Sequence, residues 1–102
     1  MDSEPIIHAL EQEWEQPTGF FARLRAGEFD EAGLERLLTL LSAIEQAHDA
    51  PLSRRMVALL WFIPLFMTWQ RERLVEQGED LHTFEEALHR VLNKLYGILG
   101  LP

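Results

Sequence analysis

Two Glu-x-x-His spacings are the residues of this chain best suited to chemistry: Glu45-Gln46-Ala47-His48 and Glu86-Ala87-Leu88-His89. One helical turn apart, a carboxylate and an imidazole can share a metal ion. Di-iron four-helix bundles use two such pairs plus one glutamate from each of two other helices. Glu11 or Glu15, and Glu72 or Glu76, could supply those extra carboxylates. The order fits but the facing does not. At 100° per residue, Glu86 and His89 point away from the Phe84/Leu88/Val91/Leu95 stripe. Glu45 and His48 continue their own stripe, but at a helix end expected to fray. A metal-binding bundle is therefore the minor alternative, and neither a metal nor a cofactor is expected.

Other catalytic arrangements are weaker. The chain has no cysteine, which excludes disulfides, thiolate zinc sites and cysteine nucleophiles and suits a reducing cytoplasm. Ser3 and Ser53 read as helix caps and Ser42 as a helix-surface residue; none stands in a nucleophile elbow. No Gly-rich phosphate loop occurs. His8, His48, His82 and His89 are scattered and read as surface or boundary residues. Glu13 with Glu15, and Glu85 with Glu86, diverge on their helices and read as solvated acidic faces. The expectation is a protein that is not an enzyme.

The elements that would carry these residues are helices. Strand alternation is absent, and helical punctuation is plentiful. A first helix should follow Ser3 as N-cap, carry Ile6, Ile7, Leu10 and Trp14 on one face, and end at Gln16-Pro17-Thr18-Gly19. The short piece "FFARLRAG" should close at Gly27 in the left-handed region. A third helix starts at Asp30 as N-cap, with Phe29 and Leu34 in the positions of a hydrophobic staple. It carries the stripe Leu34, Leu37, Leu38, Leu41, Ile44 and frays near His48 and Asp49. A fourth runs from about Ser53 to Gln77, with Gly78 as its stop. A fifth begins at Thr83, with Glu86 completing a capping box, and buries Phe84, Leu88, Val91, Leu95 and Leu99. The fold class expected is all-α: one domain over residues 1–102, a compact antiparallel bundle of four main helices plus one short helix, its central apolar helix kinked near Pro64.

That central helix holds "MVALLWFIPLFMTW", Met56 to Trp69, fourteen residues without a charge. As a helix it rises about 21 Å, against a hydrocarbon layer of about 30 Å, so it reads as a core helix and not a membrane span. Pro64 removes one backbone hydrogen bond and crowds the Leu60 carbonyl, at a cost of about 3 kcal/mol or a bend. Trp61, Phe62, Phe66, Met67 and Trp69 are types enriched at interface cores, and any surface the other helices leave bare could pair two copies of the chain. Arg54 and Arg55 stand at the helix N-terminus, where the dipole disfavours cations; Glu45 and Asp49 are the acids that could offset them.

The formal charge is −8, and it is unevenly placed. Residues 1–49 hold eleven acids against three arginines, whereas residues 50–102 hold six acids and six bases. Such a field repels nucleic acid and anionic membrane and attracts basic partners. The N-terminus is acidic, without the basic start and apolar run of a secretory signal. The partner expected is a basic protein, met through Glu11, Trp14, Glu15, Glu28, Glu31 and Glu35.

With "GFFARLRAGEFDEAGLERLLTLLSAI" and "LSRRMVALLWFIPLFMTWQRER", over about residues 14–77, the chain resembles small helical bacterial proteins of the toxin-immunity kind. The resemblance implies a cytoplasmic protein that binds one cognate toxin tightly and blocks it. Acidic members commonly face basic nuclease toxins. It carries over no site residue. The alternative is a structural or regulatory homodimer that pairs through helix 56–69.

Overall fold

A computed structural model describes residues 4–47 and 51–102. Among these residues there are six helices and no strand: α1 (Glu4–Gln12), α2 (Phe20–Arg25), α3 (Glu31–Gln46), α4 (Arg54–Trp69), α5 (Arg71–Glu76) and α6 (Leu81–Leu99). The all-α bundle expected from the sequence is the fold observed. The expected caps at Ser3 and the fraying end at His48 and Asp49 lie outside the described residues.

The apolar stripes account for the packing. Leu34, Leu37, Leu38, Leu41 and Ile44 of α3 are all buried, as their spacing requires. α3 packs most extensively on α6, whose buried run is Phe84, Ala87, Val91 and Leu95. Leu99, placed in that stripe by the sequence, is exposed instead; the stripe drifts to half-buried Ile98 at this level. α4 lies between α1 and α6. The short α2 buries Phe20, Phe21, Ala22 and Leu24 and belongs fully to the core.

α3 and α6 run parallel, as the two helices on either side of one returning helix do in an antiparallel bundle. Phe29 meets Phe84 at one end, then Glu35 pairs with Arg90 and Glu45 with Lys94, so the two helices advance together. The α4–α5 segment between them returns the chain to its starting end. Two expectations need correction. First, the long fourth helix is two. α4 continues through Pro64 as helix and ends at Trp69. At Gln70 the backbone N–H is shared between the Phe66 and Met67 carbonyls, which tightens the turn and closes α4. α5 then ends at Glu76, and Gly78, the stop the sequence predicted, follows in the left-handed region. Second, α6 starts at Leu81, two residues before Thr83. Asp80 is the N-cap: it accepts from the His82 N–H at 3.0 Å and the Thr83 hydroxyl at 2.8 Å. Glu86, expected to complete a capping box with Thr83, pairs with His82 one turn back at 3.0 Å.

The turns follow glycine chemistry. At the end of α2, Gly27 adopts φ 86°, its N–H donates to the Leu24 carbonyl, and the Glu28 N–H donates to that of Arg23. This pair of bonds is the Schellman closure that the sequence places there. Gly19 is required for closeness instead: a Cβ there would run into the Glu13 carbonyl.

Candidate functional site

Two constellations stand out, one polar and internal, one aromatic and exposed. The polar one is centred on Glu13. α1 stops at Gln12, four residues sooner than its apolar spacing suggests, and the chain turns over residues 13–18 with a cis Gln16–Pro17 bond. Glu13 is turned inward and is only 7% exposed. Its carboxylate accepts from the Phe20 backbone N–H at 2.9 Å, so it caps the first turn of α2, where Gly19 has no side chain to do so. It also accepts from Arg36 of α3 through Nε at 3.0 Å and Nη2 at 3.1 Å. Arg36 further donates to the Thr18 carbonyl at 3.3 Å and lies 3.7 Å from Asp30, which pairs with Arg23 at 3.3 Å. The hydrogen bond to Glu13 holds the Arg36 guanidinium above its ordinary pKa, against the opposing effect of partial desolvation. The network ties α1, α2 and α3 together. No buried side-chain polar atom among the described residues lacks a partner, which makes the network a fastening of the fold.

Glu13 corrects the reading of Glu13 and Glu15 as a solvated face: Glu15 is exposed and Glu13 is not. The signal was present in the spacing. Glu13 falls three residues after Leu10, on the apolar side of the helix, and Arg36 sits on α3 one position from the buried stripe.

The exposed constellation is aromatic. All six Phe and all three Trp belong to one network of ring contacts. It starts in the core at Phe84 and Phe29, passes through Phe20 and Phe21, and reaches Trp14, which stacks on Phe21 at 4.1 Å. Trp14 meets Phe66 at 4.8 Å and Phe62 at 5.7 Å. Phe62 then presents edges to Trp61 and Trp69, each at 5.7 Å. These last two indoles are 53% and 59% exposed. With Val57 and Leu65, 36% and 38% exposed, they form a ridge at i, i+4, i+8 and i+12 along the outer face of α4. Arg25 covers the inner part of the network, its guanidinium 5.3 Å from the Phe66 centroid.

The residues expected to meet a partner are divided among three places. Glu11, Trp14 and Glu15 line one surface hollow of about 610 Å³, together with His8, Arg25, Arg55, Trp61 and Phe62. Within it Glu11 is held by Arg55 at 2.7 Å, and Trp14 is half-buried in the ring network. Glu31 and Glu35 line a second hollow between α3 and α6, where Glu35 is paired with Arg90 at 3.2 Å. Glu28 is exposed just beyond α2 and lies in neither. The acids suggested for the α4 N-terminus are placed otherwise: Glu45 pairs with Lys94 at 3.3 Å, and Asp49 is outside the described residues. Arg55 finds Glu11, while Arg54 is exposed and has no ion-pair partner among the described residues.

For the Glu-x-x-His spacings, Glu45 and Glu86 are taken by Lys94 and His82, and His48 lies outside the described residues. No group of three metal-ligating side chains occurs among the described residues. No described helix is long and apolar enough to cross a membrane.

An all-α bundle with a bare aromatic ridge is the class that fold and site define. Compared with protein-family models, with curated proteins and with solved structures, the chain matches none.

Proposed function

We propose that this chain is a non-enzymatic protein-binding module and that its docking face is the outer ridge of α4. The observation that carries the reading is the pair of half-exposed indoles, Trp61 and Trp69, braced by Phe62 and alternating with exposed Val57 and Leu65. Tryptophans dominate binding energy where they are buried at the centre of an interface, and these two are held in place before any partner arrives. Replacing both by alanine removes partner binding and leaves the helical circular-dichroism signal intact. Retention of the same partners by the double variant, in pull-downs from the source cell, overturns the reading.

A second reading is favoured by the net charge of −8 and by the resemblance to immunity proteins. In it the chain works in the cytoplasm as an inhibitor of a basic toxin or effector, which is steered by the carboxylates of the first half. Glu15, Glu28 and Glu31 support it, because they are exposed and have no ion-pair partner among the described residues, whereas Glu11 and Glu35 are already matched by arginines. Capture of a basic protein at low salt and its loss at high salt fits this reading. Retention unaffected by salt, or by glutamine at all three positions, rejects it.

A further inference from the structure

We infer that the ridge of α4 pairs with the same ridge of a second copy, antiparallel, in a register centred at the level of Ile63. The inference rests on the ridge being the docking face and adds its occupant. The exposed large apolar positions of α4, 57, 61, 65 and 69, are symmetric about 63. A two-fold axis makes a surface meet itself, so each residue on one side of 63 faces its mirror position on the other copy. Val57 then lies against the partner's Trp69, and Trp61 against the partner's Leu65. Each rung sets an aliphatic side chain against an indole, which is the size alternation an interdigitated seam needs.

The next rung out is charged and complementary. It sets Arg54 against the partner's Glu72. Both are exposed and neither has an ion-pair partner among the described residues. Arg54 stands in the first turn of α4, where a cation is disfavoured by the helix dipole and gains from an added carboxylate. Glu72 lines the same surface hollow as Trp69 and Val75, so it is carried at the end of the ridge. The symmetry repeats this pair at both ends. Roughly 400 Å² of apolar surface is available per copy, given what such side chains bury when covered. With its charged ends, that is enough for the centre of an interface of about 800 Å² per partner.

The test is sedimentation of the whole chain between about 1 and 100 µM, a span that covers ordinary dimer affinities. The wild-type chain should be a dimer at the upper concentrations, and Trp61→Asp, a change at an exposed position, should be a monomer with unchanged helicity. Arg54→Glu and Glu72→Arg should each weaken the dimer by about tenfold or more, because like charges then face each other. The double variant should recover it. A dimer that the single reversals leave untouched, or the double variant fails to recover, overturns the register while the docking face stands. A wild-type chain that is monomeric throughout overturns the second copy as occupant. The ridge then belongs to another partner, as the alanine pull-downs report independently.

Discussion

Removing the Glu13 carboxylate should be the costliest single change among the acids of this chain. Glu13→Ala leaves the buried Phe20 N–H without its acceptor and the half-exposed Arg36 without its bidentate partner. Chemical denaturation should show a loss of about 2–3 kcal/mol. Arg90→Ala breaks a pair of similar length, but both Arg90 and Glu35 are exposed, so the loss should be about 1 kcal/mol or less. Equal losses from the two changes would refute the weight placed on burial. The ridge makes a third residue-scale contrast. Trp69 is more than half exposed and Leu41 is fully buried, so Leu41→Ala should cost about 2–5 kcal/mol and Trp69→Ala far less in the monomer.

At the scale of elements, the start of α6 gives a pH dependence. The Thr83 hydroxyl first, then the His82 N–H, hold the Asp80 carboxyl below its usual range. A group with a depressed folded pKa stabilises the fold above its unfolded value, near ~3.9, and that contribution is lost as pH falls through the lower folded value. Asp80→Asn should therefore be less stable than wild type at neutral pH, with the gap closing on acidification from about pH 5 downward. A gap that widens toward acid, followed by thermal melts across that range, contradicts the cap. Element boundaries also show what spacing alone leaves open. The α3 stripe was legible because five large apolar residues recur at helical spacing and Asp30 precedes them. The break at Gln70 was not legible: no proline or glycine marks it, and the residues on both sides favour helix. Pro64, the residue that does suggest a break, sits inside a continuous helix.

Across the whole molecule, folding rearranges the charge. The sequence puts the entire −8 in the first half, but Arg55, Arg90 and Lys94 of the second half fold back onto Glu11, Glu35 and Glu45 of the first. The local field of the first half is weakened there, and the net charge is unchanged. A chain this acidic repels itself, and its exposed ion pairs are worth little, so screening should help more than it harms. Raising salt from about 0.02 to 0.5 M, a change that shortens the Debye length from roughly 20 to 4 Å, should raise the melting temperature. A fall would mean that the cross-helix pairs outweigh the repulsion.

By itself the sequence determined the helices, their buried faces and most of their glycine stops, because each rests on spacing within a few residues. It also marked helix 56–69 as too apolar for an ordinary surface helix. Only the tertiary structure decided that α3 packs most extensively on α6, that Glu13 bonds to Arg36 and the Phe20 N–H, and that Trp61 and Trp69 stay bare while Phe66 and Met67 are covered. Each of these depends on which helices meet and on how far one bundle can wrap its most apolar member, and local spacing does not contain that information.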